Sequence, residues 1–162
     1  MADQIDFIVT DLEDYTRSEI IALGLNVNAN LRDNPPVGTP IDTGWASASW
    51  VPSVGEPKIL PAEPANPSEG ATPAEVAARA EIAAQGENEV LSWRLQDGPI
   101  FSTNNTTYIG PLNNGHSTQS PRGFVQNALE KAIRETYSRA ASQRGRARRG
   151  AAARAAKPRP KR

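Results

Sequence analysis

The chain has 162 residues, 38% of them hydrophobic and 6% aromatic, with fourteen prolines and twelve glycines: one domain's length, a modest core and much irregular chain. Cysteine is absent and histidine occurs once, as His116, which excludes disulfide scaffolds, thiolate zinc sites and thiol catalysis and leaves almost no scope for imidazole metal sites. The formal net charge of zero hides a split, because residues 142–162 hold nine Lys/Arg and no acid, while residues 1–141 carry nine basic against eighteen acidic groups.

Taken in chain order, Ile5, Val9, Leu12, Thr16, Ile20, Leu23 and Val27 recur at spacings of three and four, which predicts a helix over 4–27. Its first half is crowded with acids, where the macrodipole favours them. Gly24 is expected to weaken or end it. The same acidic start is unlike the basic start of a signal peptide, and no apolar run reaches membrane-spanning length. The chain therefore reads as made and kept in a cytoplasm, or in something assembled there, and the sequons at Asn104 and Asn105 carry no weight.

Residues 32–44 cannot be regular, with Pro35, Pro36 and Pro40 inside them. Asp42 or Thr43 is placed to cap a helical turn in "WASASW", followed by a strand near 48–54; in the alternative reading the stretch itself enters a strand, with Trp45 and Trp50 anchoring the core. Residues 55–70 are rich in Pro, Glu and Ala and predict an extended surface loop. Thr72, Pro73 and Glu75 form an N-cap, first-turn proline and capping-box set for a helix over 73–85, with Gly86 as its stop. Its face is mostly alanine, and 55–88 as a whole reads as an insertion into a smaller domain.

Leu91, Trp93 and Leu95 alternate with polar residues ahead of Asp97-Gly98 and "PIFS", which predicts a β-hairpin with an edge strand headed by Pro99. A helical turn at 106–112 follows, then a polar loop in which Asn113, Asn114 and Gly115 tolerate positive φ. Ser120 and Pro121 are expected to launch a last helix with Val125, Leu129, Ala132, Thr136 and Ala140 on its face and Phe124, Ile133 and Tyr137 beside them. Glu130–Arg134 and Glu135–Arg139 are spaced as ion pairs on its wet side. The expected core joins Leu91, Trp93 and Leu95 to Val125, Leu129 and Ile133. Beyond Gln143 the sequence turns to Arg, Ala and Gly and ends in "KPRPKR".

The search for catalytic groups yields little. "GHSTQ" at 115–119 approaches a nucleophile elbow, but Gln119 stands where the second glycine belongs and there is no second histidine to act as base. Walker and dinucleotide-binding motifs do not occur. The sequence assigns no catalytic, metal or cofactor residues, no cofactor and no small-molecule substrate; His116 reads as a polar loop residue.

"TPIDTGWASASW" (39–50), "STNNTTYIGPLNNGHSTQSPRGFVQNAL" (102–129) and a final amphipathic helix, in that order, resemble the tail-completion, or head–tail joining, proteins of the necks of long-tailed bacteriophages. The matched positions are Thr39, Pro40, Asp42, Thr43 and Gly44, then Asn104, Tyr108, Gly115, Pro121, Phe124 and Ala128. Asn113 replaces the family's usual acid before the glycine, and Ile109 its usual alanine after the tyrosine. The resemblance covers about 39–54 and 89–141 and implies a small α/β (α+β) domain over 1–141, with a small antiparallel or mixed sheet flanked by an N-terminal and a C-terminal helix. It further implies a non-enzymatic virion protein, assembled in the host cytoplasm, that forms a homo-oligomeric ring (a hexamer by analogy with the six-fold tail) against neighbouring neck and tail proteins. Tail terminators share that architecture and are the alternative role.

The interface candidates are Tyr108, Asn113, Asn114 and His116 in the polar loop, and Arg144, Arg146, Arg148 and Arg149 in the arm at 142–162. A reading of a different class makes that arm the working part of a nucleic-acid-binding module. Its nine positive charges can neutralise several phosphates without specificity, while the acidic body repels DNA.

Overall fold

The computed structural model describes residues 2–155, with side-chain environments for 4–142. In chain order it comprises α1 (Ala2–Arg32), α2 (Trp45–Ala48), β1 (Val51–Val54), α3 (Pro73–Leu91), β2 (Ile100–Thr103), α4 (Ile109–Asn113) and α5 (Phe124–Ala155). The architecture is α+β: long helices at both ends and a two-stranded antiparallel sheet pairing Val51 with Thr103 through Val54 with Ile100.

Two glycines expected to stop helices do not. α1 runs past Gly24 to Arg32 and α3 past Gly86 to Leu91. Each glycine instead marks where another element comes close. A Cβ on Gly24 would lie 3.1 Å from Ile100 Cγ2, and one on Gly86 only 2.0 Å from the Pro52 carbonyl oxygen. The bare backbone of α3 thus lies directly on β1, with Arg79, Ala83 and Val90 buried along the same side. A helix faced with small residues gains dispersion contacts by close approach rather than by bulk.

Of the segment 55–88, the first part is irregular surface chain and the second, as α3, packs on β1. The expected capping box is present at its start: Thr72 Oγ1 accepts from Glu75 N–H, and the Glu75 carboxylate accepts from Thr72 N–H at 2.8 Å.

The β-hairpin expected at 91–103 is not formed. Leu91 ends α3, and β2 pairs with the distant β1. The turn also lies earlier than the expected Asp97-Gly98: Asp97 N–H donates to Arg94 O and Asp97 Oδ2 accepts from Arg94 N–H, which centres it on Leu95-Gln96, and Gly98 follows with φ 89°. The short alternation of Leu91, Trp93 and Leu95 mimics a strand, but α3 consumes its first residue. Trp93 is 5% exposed and its Nε1 donates to Gly98 O, whereas Leu91 and Leu95 are 53% and 45% exposed.

α5 starts at Phe124, behind left-handed Gly123, rather than at Ser120-Pro121. Ser120 is buried and donates to Gly38 O, so its hydroxyl ties the loop to the α1–α2 connection. The buried side of α5 is Phe124, Ala128, Ala132, Thr136 and Ala140: Ala132, Thr136 and Ala140 are as expected, but the first turns bury Phe124 and Ala128 in place of Val125 and Leu129, and Leu129 is exposed. The ion pairs on its surface also differ, since Lys131 bridges Asp33 and Glu135.

α1 and α5 pack antiparallel: Asn30 Nδ2 donates to Glu135 Oε2 and Asn26 Nδ2 to Thr136 Oγ1, at 3.0 and 2.9 Å. Leu31, Trp50 and Ala128 form the core cluster, with Val27, Ile109 and Val125 around it. Asn28 is fully buried between Glu87, to which it donates, and Ser102, from which it accepts. Among the described residues no buried side-chain polar atom lacks a partner, as a low-dielectric interior requires. α5 continues as helix through Gly145 and Gly150 to Ala155, so no break separates the body from the expected arm at 142.

Candidate functional site

The connection from α1 to α2 is held from inside. Thr39, fully buried, donates through Oγ1 to Leu31 O at the end of α1 and accepts from Trp50 Nε1 at 2.7 Å. A threonine here serves both an orphan helix carbonyl and a buried indole, which costs neither group its hydrogen bond. Gly44, with φ 87°, is the N-cap of α2; Asp42 and Thr43 remain exposed and do not cap it, although Thr43 Oγ1 lies 3.4 Å from Trp45 N.

Residues 103–107 lead into the opposite wall, which begins at Tyr108, and their side chains act as a strap. Thr103 Oγ1 donates to Lys58 O, Asn104 Nδ2 to Ala46 O, Asn105 Nδ2 to Leu60 O, and Thr107 Oγ1 to the Glu63 carboxylate. Proline-rich chain cannot satisfy its own carbonyls in a ladder, and Thr103 and Asn105 of "TNNTT" do so for Lys58 and Leu60. Sequence reasoning misses this; the signal is a run of short amide and hydroxyl side chains directly after a strand.

Trp45 Nε1 donates to Ala62 O, and the Arg79 guanidinium stacks on the Trp45 ring at 3.9 Å from its centroid. Arg79 also donates to Ser49 Oγ and to Pro61 O, so the one cation buried in α3 is spent on the body. Burial pulls the Arg79 pKa down, with the Tyr108 phenolate form opposing. Burial pushes the Tyr108 hydroxyl up, aided by the Glu63 and Asp42 carboxylates, with Arg79 acting the other way.

Between these walls lies a cleft of about 250 Å³, lined by Pro40 to Ala46 on one side and by Tyr108, Leu112, His116, Ser117 and Gln119 on the other. Gln119 Oε1 closes one end by accepting from Ile41 N–H at 2.8 Å. His116 is exposed; its Nδ1 lies 2.8 Å from Pro111 O and therefore carries the proton of that hydrogen bond. His116 and Tyr108 are thus brought into the cleft. Asn114 is exposed at the end of α4, outside the lining. Asn113 reaches the other way and caps α5, Oδ1 accepting from Val125 N–H at 3.0 Å and its carbonyl from Gly123 N–H at 2.7 Å.

In the loop from α4 to α5, φ is positive at Gly115 (92°) and Gly123 (78°), and Asn113 and Asn114 do not adopt it. Arg144, Arg146, Arg148 and Arg149 lie on α5, about 30 Å along the helix from Phe124 at 1.5 Å per residue, with side chains outside the described residues. Of the candidates, the cleft therefore gathers only Tyr108 and His116; Asn113 and Asn114 lie outside it, and the four arginines are kept apart by the length of α5.

Chemically, the cleft presents donors and acceptors in a rigid frame: the Tyr108 hydroxyl, the Asp42 carboxylate, His116 and the backbone of 40–44. Among the described residues no group of three or more His, Cys, Asp or Glu is placed to hold a metal ion, and no helix is long and apolar enough to cross a membrane. Comparison with protein-family models, curated proteins and solved structures returned no match.

Proposed function

We propose that this chain is a structural subunit of a bacteriophage particle, forming a ring at the neck that joins or completes the tail. One observation supports it most. The two motifs on which the resemblance rests, Thr39–Gly44 and Asn104–Phe124, lie some sixty residues apart in sequence, yet they face each other across the cleft. They are fastened by Ser120 to Gly38 O, Gln119 to Ile41 N–H and Asn104 to Ala46 O. Motif residues used as a rigid frame, with polar groups left at its rim, suit a contact surface between subunits. Such a surface needs preorganised shape more than reactive groups.

The test is genetic and visual. Removing the chain from a producing particle should leave filled heads and separate tails in electron micrographs, restored by supplying the chain in trans. Tails of uncontrolled length would move the role to that of a terminator. Intact, infectious particles without the chain would overturn the reading.

A further inference from the structure

The cleft between the two motifs carries a negative charge that this chain leaves unanswered. Asp42 is the one charged residue of its lining; it is exposed, and among the described residues it enters no ion pair. The Asp42 and Glu63 carboxylates both act on the Tyr108 hydroxyl. Arg79, the base that opposes them there, is already held by Ser49, Pro61 and the Trp45 ring. Ile41 and Leu112, both partly buried, give the cleft apolar walls. A free carboxylate, an aromatic ring and a short apolar wall together match the head and stem of one long cationic side chain.

We infer that the cleft of one copy takes the segment Lys157–Arg162 of the next copy, with the Arg159 side chain on Asp42. This rests on the ring reading above and names a contact that builds the ring. Charge and backbone select the occupant. "KPRPKR" holds four bases and no acid, and Pro158 and Pro160 favour extended chain, which enters a cleft of about 250 Å³ where a helix would not. Arg159, with proline on both sides, is presented by the most restricted backbone, and a guanidinium can both pair with a carboxylate and stack on a tyrosine ring. Reach makes the contact one between copies. The cleft lies beside the start of α5, where Asn113 caps the helix next to the lining residue Leu112. From Phe124, α5 carries Ala155 about 46 Å away at 1.5 Å per residue. The four residues from Ala156 to Arg159 span at most about 14 Å, too little to return to their own cleft. Nucleic acid is repelled by the same carboxylate. A contact between two different patches propagates, and closes into a ring where the rotation allows.

The absence of cysteine makes the test clean. Full-length Thr43→Cys chains, altered at the exposed cleft rim, and Lys161→Cys chains are mixed under mild oxidation. Disulfide-linked heterodimers should form at least ten-fold faster than homodimers of either chain alone. Asp42→Asn and Arg159→Gln should each keep the melting of the isolated subunit while raising the concentration needed for assembly at least ten-fold. Asp42→Arg combined with Arg159→Asp in one chain should restore assembly that either change alone impairs. Weakened assembly in Asp42→Asn without the Thr43→Cys to Lys161→Cys link would give the cleft to a basic segment of another protein and overturn the proposal. Rings that form as readily in Asp42→Asn and Arg159→Gln as in wild type would overturn it while leaving the ring reading standing. A wild-type chain that is monomeric within intact particles would remove both.

Discussion

Gly86→Ala separates the packing argument from helix propensity, because the two predict opposite signs. Alanine in a helix interior is favoured over glycine by about 1 kcal/mol, so a glycine that merely weakens α3 would be improved by the change. The structure places the new Cβ 2.0 Å from Pro52 O, 3.1 Å from Pro52 C and 3.3 Å from Pro52 Cδ. An ordinary carbon–oxygen contact is about 3.3 Å or more, so α3 and β1 must separate by roughly 1 Å. The obstacle is backbone in a strand whose register with β2 is fixed, not the end of a flexible side chain. Overpacking costs about 1–3 kcal/mol, and backbone resistance puts this site at the upper end. Net destabilisation of about 2 kcal/mol remains, or a fall in Tm of roughly 4–8 °C for a chain of this size. Chemical denaturation of the isolated subunit, with the slope checked for constancy, measures it. Gly110→Ala in α4, where nothing lies within 4 Å, is the control and should be neutral or slightly stabilising. If Gly86→Ala is as stable as wild type or more so, the close α3–β1 contact is wrong.

Other outcomes follow from single residues. Trp93→Ala should cost about 3–5 kcal/mol, as a buried aromatic does, while Leu91→Ala and Leu95→Ala, both half-exposed, should stay within about 0.5 kcal/mol on equilibrium unfolding. Asn113→Ala removes the α5 cap and should cost about 1 kcal/mol, whereas His116→Ala should leave stability and particle assembly unchanged in the same unfolding and complementation assays. Hydrogen bonds from Thr72, first backbone and then side chain, with a further one from Ala65 N–H, hold the Glu75 carboxyl below its usual range. Its folded pKa being the lower one, the stability it adds is present above the ordinary glutamate value and is lost as pH falls through the depressed one. The Tm difference between wild type and Glu75→Gln should therefore shrink on acidification from pH ~5.5 to pH ~3.

The elements marked by local chemistry are legible in the sequence. Thr72, Pro73 and Glu75 announce α3 because capping is satisfied within one turn. The strand at 51–54 follows the α2 turn as expected, and the terminal helices follow from apolar spacing. The failures share one cause: a residue's local preference is overridden by something far away in sequence. Gly24 and Gly86 read as helix stops because only Ile100 and Pro52 explain them. Leu91, Trp93 and Leu95 read as a strand because five alternating residues are too few to reveal that α3 has not yet ended. Ser120 reads as a cap because its acceptor, Gly38 O, belongs to a connection eighty residues earlier.

The same distinction runs through the cleft. Its residues are visible as a motif, but its construction depends on pairings across the chain that no spacing encodes. Thr39 reads in the sequence as part of a turn, yet in the fold it joins the end of α1 to the Trp50 indole. Asn104 and Asn105, without weight as sequons, hold Ala46 O and Leu60 O. Each of these side chains donates to a backbone carbonyl: Leu31 O and Ala46 O also accept from Thr39 N–H and Ser49 N–H, while Leu60 O lies in proline-rich chain, and an unanswered buried carbonyl costs about 1–3 kcal/mol. The polar residues of "TPIDTG" and "TNNTT" are therefore largely consumed in holding the frame. The part of the cleft not so engaged is Asp42, Tyr108 and the exposed edge of His116.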